Sequence, residues 1–476
     1  MPLGNVAVAL QENDFPAAGF QVRVGPPSGL AGSGAPLLCG SRCWVWPDVA
    51  LIRSAHLHLE LANERITAAI HSTAENGPGT ALDRRKPEHG IEAIRGKRIL
   101  FVFCSLELGG AERQGMHLAR YLKNLGCDVR VWGHLGHGLV EQECDEAGIP
   151  WAIHRFLWPC RKSSLVRDGW RVLRALRRDR PDVILPYTAW ANMSCGLTWR
   201  LSPAKVCIWS QRNVHDMRGH PLERFAYRRV SAVVCNAAHE VDYLRRTLGE
   251  TPAPVSIVHN GVELVPRIRT RAAWREELGV GEDTTVAAMV ANFRSVKDHP
   301  TLLHAWRKVL AATPAGQSRP RLLLAGAPQD SYDAVRQLAS SLGLLDTVHF
   351  LGQIKDISGL LAATDIGILA SNHEGLPNVV IEYMAGGLPV VATDLPGTRE
   401  ALGDDSQQQL CKLGDPDSLA GQLQALLNEP DLRRQLGMRN QRRAAQEFSV
   451  DKMCQTTADL ISDLLGGHAA TGRACS

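Results

Sequence analysis

From residue 98 onward the chain alternates short apolar runs with longer amphipathic stretches. Runs near 98–104, 128–133, 182–186, 205–209, 231–235 and 255–258 are almost continuously apolar and read as strands. Helical periodicity fills the intervals, as at 111–125, 165–180 and 237–248. A strand covered on both faces loses the polar alternation of an exposed sheet, so this pattern predicts parallel strands sandwiched between helices. A second series follows, with strands near 285–291, 321–325, 347–350, 365–370 and 389–393, then three helices near 416–428, 430–446 and 450–465. A chain of 476 residues exceeds one ordinary core. The two series predict an α/β protein of two Rossmann-like domains, residues 96–267 and 268–447, joined by a linker at Glu263–Arg271 that contains Pro266.

Residues 1–95 differ in kind. They mix Gly/Pro-rich stretches with one candidate helix around 53–70 and lack strand–helix alternation. They read as a poorly ordered N-terminal extension or as the product of an upstream start codon.

The richest segment is 365–400, DIGILASNHEGLPNVVIEYMAGGLPVVATDLPGTRE. An apolar strand, Ile366 to Ala370, leads into a polar loop with Glu374, Gly375 and Pro377, then a helix from Asn378 to Ala385. Gly386, Gly387 and Pro389 end that helix before the strand Val390 to Thr393. In parallel sheets ligands bind at the carboxyl ends of strands, so Glu374 faces the ligand side. Glu382 lies about one turn into the helix, far enough away to meet another part of the same ligand. Free N–H groups at the helix start, around Asn378, suit phosphate oxygens. A ligand with hydroxyls at both ends and a phosphate between them fits, and a nucleotide sugar has that form.

The Glu-x7-Glu string resembles the donor-site signature of family 4 of the retaining glycosyltransferases, which have the GT-B fold. The resemblance spans most of 96–465 and includes SLELGGAERQ at 105–114, HNGVE at 259–263, NFRSVKDHPTLLHA at 292–305 and HFLGQIKDISGLLAATDIGILAS at 349–371. It implies two domains facing across a cleft, with the last helix, 448–466, crossing back onto the first. It also implies that Glu374 binds donor-sugar hydroxyls and Glu382 the ribose hydroxyls, a task suited to a carboxylate that accepts two charge-assisted hydrogen bonds. Gly375, Leu376 and Pro377 let the backbone approach the donor, with Pro377 at the first helical position. Arg294 and Lys297 follow the strand VAAMVAN and are placed to neutralise the diphosphate. Many family members carry Arg where Asn292 stands, so that role passes here to Arg294. Gly109 and Gly110 open the cleft-side helix of the first domain. No histidine stands at the family's acceptor-side position; Tyr187, Gln211 and Arg212 occupy that neighbourhood. His134, His137 and His215 read as structural or solvated, and His259 as a support for the turn before the linker.

The expected reaction is transfer of a sugar from a nucleoside diphosphate sugar to a hydroxyl on a saccharide or lipid-linked acceptor, with retention, in polysaccharide or glycolipid assembly. Rival readings are an epimerase or phosphorylase on the same scaffold, or a non-catalytic nucleotide-sugar binder. No cofactor or metal is expected. Composition agrees with a globular enzyme: 45% hydrophobic, 21% charged, and twelve cysteines without CxxC pairing, which read as free thiols. A net charge of +4 is too small to call for nucleic acid. No run of about 18 apolar residues and no secretory leader are visible, so cytoplasmic residence is expected. Residues 155–229 hold 16 Lys and Arg against 5 Asp and Glu, a local balance of +11. There, Val166, Trp170, Leu173 and Leu176 line one helical face and Arg167, Arg171, Arg174 and Arg178 the next. This stripe fits either an anionic membrane surface or the solvated outer side of a packed helix.

Overall fold

The computed structural model describes residues 92–157, 162–212, 217–264, 266–314 and 316–466. Contacts divide the chain between Arg84 and Arg85, and everything below concerns the second unit. Residues 1–91 of the N-terminal extension, with its candidate helix at 53–70, lie outside the described residues, as do His215 and, within the expected linker, Val265; residues 92–95 are described, and Ile94 is fully buried in the core of the first sheet.

Seven parallel strands form the first sheet: β1 (Arg98–Ser105), β2 (Asp128–Leu135), β3 (Trp151–Ile153), β4 (Val183–Pro186), β5 (Val206–Gln211), β6 (Ala232–Cys235) and β7 (Val255–Ile257). Their order is β3-β2-β1-β4-β5-β6-β7. Six more form the second: β8 (Val286–Val290), β9 (Arg321–Ala325), β10 (Val348–Gly352), β11 (Ile366–Leu369), β12 (Val390–Thr393) and β13 (Leu410–Cys411), in the order β10-β9-β8-β11-β12-β13. Both faces of each sheet are covered. Along β1, Ile99, Phe101 and Phe103 enter one core while Leu100 and Val102 enter the other. This is the side-chain alternation of a strand with apolar residues at every position.

Strand order reverses between β1 and β4 in the first sheet and between β8 and β11 in the second. Loops leaving the carboxyl ends on either side of such a point diverge to opposite faces and leave a crevice. The two crevices belong to the segments that hold the candidate site.

The final helix, Val450–Leu465, returns to the first sheet, where Met453, Cys454, Ala458 and Ile461 share the core of Ile99 and Phe101. Met453 and Ile461 each gain roughly 1.5–3 kcal/mol from burial, which helps hold the helix there. Tyr121 Oη adds a 2.6 Å hydrogen bond to Gln455 Oε1.

The arginines of the basic stripe are exposed, but the apolar face read beside them is not the buried one. In the helix Lys162–Asp179 the inward residues are Asp168, Val172, Ala175 and Leu176. Val166 and Trp170, read above as part of the apolar face, are 73% and 59% exposed. They sit among Arg167, Arg171 and Arg174, with the Arg174 guanidinium 5.7 Å from the Trp170 ring centre. The helix is buried along one edge only, and at about 100° per residue Asp168, Val172 and Ala175 lie nearly across the helix from the Val166–Trp170 line.

Candidate functional site

Lys297 and Glu374 meet across the crevice of the second sheet. Lys297 ends a short 3-10 turn, Ser295–Lys297, after β8, and Glu374 lies in the loop after β11. Lys297 Nζ donates to Glu374 Oε1 at 2.5 Å, with the two side chains 22% and 14% exposed. The next residue, Asp298, has φ +42°, a conformation that side chains seldom adopt, while its carboxylate accepts from the Thr301 N–H at 3.3 Å and caps the following helix. Backbone strain of this kind collects at functional sites.

The helix Asn378–Ala385 starts one residue later than its proline suggested. Pro377 stands at the N-cap, with Asn378 first in the helix, and no side chain caps the end. A proline cap has no side-chain acceptor, so the first N–H groups remain open to a ligand. Leu376 is buried with Val380 and Ile381 and anchors the loop from below. Tyr383 fixes the helix to the crevice floor: its hydroxyl accepts from Val290 N–H at 2.7 Å and donates to the Ile368 carbonyl at 3.2 Å, bridging β8 and β11.

Glu382 faces the first domain, where its Oε1 is 3.4 Å from Arg113 Nη1. Burial pushes its carboxyl above the usual range, and Arg113 opposes that rise. Gly110 is the second point of approach. A Cβ built there would lie 3.0 Å from Asn378 Nδ2, so a side chain would press on the Asn378 amide. Neighbouring Gly109 is overlain by Glu112, whose burial raises its own carboxyl.

Arg294 is placed otherwise. It is solvent-exposed beside Asp330, and among the described residues no ion pair joins it to Glu374 or Glu382. Asn292 accepts from the Ala327 N–H at 3.0 Å.

Sequence reasoning did not single out several groups that complete the site. Asn260 bridges the domains: it accepts from Arg212 Nη1 at 2.6 Å and donates to Asn378 Oδ1 at 2.6 Å. Gln114 holds the Asn260 turn through paired bonds with Gly261, 2.9 Å to its carbonyl and 2.8 Å from its N–H. Thr188, at the carboxyl end of β4, has φ +68°, an outlier for a β-branched residue, with its hydroxyl 2.8 Å from Cys104 Sγ. Arg212 lies over the Tyr187 ring at 5.0 Å. His259 acts across the domains and not within its own turn, with Nε2 2.8 Å from Glu400 Oε1. His134 is structural: fully buried, it is 2.6 Å from Ser194 Oγ and 2.7 Å from the His154 carbonyl, and burial lowers its pKa to about 4. His137 is exposed and paired with Glu141. Among the described residues no three His, Cys, Asp or Glu side chains are grouped at metal-binding spacing.

This chain matches the family model "Glycosyltransferase Family 4" over residues 108–265 and "Glycosyl transferases group 1" over 270–443. It is 32% identical over 367 residues to the putative glycosyltransferase EpsD of Bacillus subtilis, covering 72% of this chain and 91% of that one. It is 28% identical over 236 residues to the N-acetyl-alpha-D-glucosaminyl L-malate synthase of Bacillus anthracis, covering 49% of this chain and 60% of that one. A D-inositol 3-phosphate glycosyltransferase of Streptomyces coelicolor is 30% identical over 251 residues, 48% of this chain and 54% of its own length. The chain thus spans a little over half the length of these last two relatives. Among solved structures, Anabaena Alr3699/HepE in complex with UDP-glucose superposes with TM-score 0.67 at 21% identity, covering 77% of this chain and all of that one. WaaG, a glycosyltransferase involved in lipopolysaccharide biosynthesis, superposes with TM-score 0.58 at 16% identity, covering 79% and 100%. The two facing parallel sheets are those of the GT-B fold. Two family models that run consecutively along one chain, and a relative matched over nine-tenths of its length, establish that this protein belongs to family 4 of the glycosyltransferases.

Proposed function

We propose that this protein is a retaining glycosyltransferase that moves a sugar from a nucleoside diphosphate sugar to a hydroxyl on a saccharide or lipid-linked acceptor. The observation that carries this reading is the Glu374–Lys297 pair at the β8/β11 crevice, before an uncapped helix start that has Glu382 about one turn in. In this reading Glu382 accepts from the ribose hydroxyls, and the N–H groups at Asn378 and Val379 receive the diphosphate. Glu374 holds the sugar by its hydroxyls while Lys297 faces the leaving phosphate. The bond from the anomeric carbon to the phosphate oxygen breaks as the bond to the acceptor oxygen forms on the same face. The acceptor proton passes to the departing phosphate oxygen. Positioning and a fixed cation at the growing charge then supply the acceleration. The relatives' names support sugar transfer, and the neighbour holding UDP-glucose supports the donor class.

The test is a panel of nucleotide sugars assayed by thermal shift, slow donor hydrolysis and transfer to saccharide and lipid-linked acceptors. One donor should raise the melting temperature and be consumed. No stabilisation and no turnover across the panel would overturn the reading.

A lipid-linked acceptor is favoured by Val166 and Trp170, which stand exposed among arginines on the first domain. An exposed tryptophan within a cationic stripe suits an anionic headgroup layer, where each cation contributes about 1 kcal/mol. The enzyme would then work as a peripheral protein at the inner face of the membrane, in assembly of a cell-surface polysaccharide or glycolipid. No helix among the described residues is long and apolar enough to cross a membrane.

A further inference from the structure

The loop that carries Glu374 is pressed against the start of the helix Ala238–Leu248 of the first domain. A Cβ built on Gly375 would lie 3.1 Å from Glu240 Oε1, 3.3 Å from the Arg212 carbonyl oxygen and 3.6 Å from Asn236 Oδ1. Three acceptor oxygens thus converge on one glycine. Glu240 is fully buried. Its Oε2 accepts from the Asn236 N–H at 2.9 Å, but its Oε1, the oxygen nearest Gly375, has no hydrogen-bond partner, and neither has Asn236 Oδ1.

The same helix end is gripped from the second domain. Glu400 accepts from the Ala238 N–H with both oxygens, at 2.8 and 3.0 Å, and lies 2.8 Å from His259 Nε2. Gly397 fills the remaining gap: a Cβ there would be 1.7 Å from the Gly375 carbonyl oxygen and 3.2 Å from His239 Cε1. The charged and titratable groups that bear on Glu240 are Arg212 from the end of β5, Cys235 from the end of β6 and Glu400 from the second domain, with His239 next to it in the helix and His259 on Glu400. The Arg212 guanidinium is engaged with Asn260 and Ser210.

We propose that Glu240 is a positioning residue for the sugar-binding loop: its uncharged carboxyl allows the domains to close on Gly375, and its ionisation unseats the loop. This rests on the reading of Glu374 as the sugar-binding group. A buried carboxylate oxygen without a donor is unfavourable once charged, and hydrating it requires the loop to move away. Burial, the largest influence, accordingly pushes the Glu240 carboxyl up to about 8 from its ordinary 4.5, with Arg212 opposing and Glu400 adding to the rise. The sign follows. Closure takes up a proton between pH 4.5 and about 8, so it is fully favoured below that window. It weakens by about tenfold per pH unit across the window and levels off above it.

Hydrogen–deuterium exchange of peptides covering 236–240 and 372–378, corrected for intrinsic rates, tests this without any substrate. Wild type should be most protected near pH 4.5, lose protection progressively up to about pH 8 and change little above it. Glu240→Gln, a neutral mimic, should stay protected across the range, and Glu240→Ala should exchange fast throughout. The same pH dependence in wild type and Glu240→Gln would overturn the proposal, even if Glu240→Ala fails to fold. Because no donor is needed, the result stands apart from the outcome of the nucleotide-sugar panel. Once a donor is known, Glu240→Gln should flatten the alkaline limb of its kcat/KM profile, and an unchanged limb would also overturn the proposal.

Discussion

Replacement of Glu382 by Gln changes charge at nearly constant volume, so it isolates the group assigned to the ribose. The structure sets what is lost within the protein. Glu382 is 17% exposed, but its partner Arg113 is half exposed at 3.4 Å, so their pair contributes at most about 1 kcal/mol. The fold should therefore survive. On the ligand side, two charge-assisted hydrogen bonds of about 1.5–3 kcal/mol each become, at best, bonds to a neutral amide of about 0.5–1.5 kcal/mol. Water recovers part of the difference. A net loss of about 1–3 kcal/mol corresponds to roughly 5- to 150-fold in Kd. Titration calorimetry with a bare nucleoside diphosphate measures it. Affinity should also fall on acidification, beginning above the ordinary glutamate range, because burial keeps Glu382 protonated to higher pH and only the charged form accepts from both hydroxyls. The variant should lack that acid limb. An affinity within about twofold of wild type, with the melting temperature unchanged, would remove Glu382 from the ribose site.

Glu374→Gln should spare binding of the bare nucleotide and impair transfer; equal loss of both would refute the division between the two glutamates. Lys297→Met should lower kcat more than it raises the donor KM, and Arg294→Met should have the smaller effect because Arg294 stands apart from the Glu374 pair; a pure KM effect at Lys297, or the reverse ranking, would contradict this. Sedimentation with vesicles should show binding to anionic but not neutral lipid, reduced by high salt and by Trp170→Ala with Arg171→Glu; equal partitioning would leave the stripe as a solvated face. His134 and His299, each with its pKa lowered to about 4 from 6.5, bind their protons more readily in the unfolded chain, so stability should fall by about 1.4 kcal/mol per pH unit for each from pH 6.5 towards 4. Urea midpoints at pH 7 and 5 check this, and a pH-independent midpoint would refute it.

The alternation of apolar runs with amphipathic stretches was enough to predict two parallel-sheet domains, because a strand buried on both faces must be apolar at every position. The eleven strands expected from that signal are present within a few residues of their predicted limits. The two that were missed, β3 (WAI) and β13 (LC), are short edge strands paired on one side, too brief to show a period. Short helices such as Leu139–Glu146, Ala189–Thr198 and Pro221–Tyr227 escaped for a similar reason. Local sequence also placed Glu374 after a strand and Glu382 a turn into a helix, since both follow from residues within ten positions. Only the tertiary structure joined Glu374 to Lys297, His259 to Glu400 and Asn260 to Asn378, which are separated by 77, 141 and 118 positions. It also turned Val166 and Trp170 outward and buried the opposite edge of that helix, at Asp168, Val172 and Ala175. Which edge is buried depends on what the helix meets, and what it meets comes from distant parts of the chain.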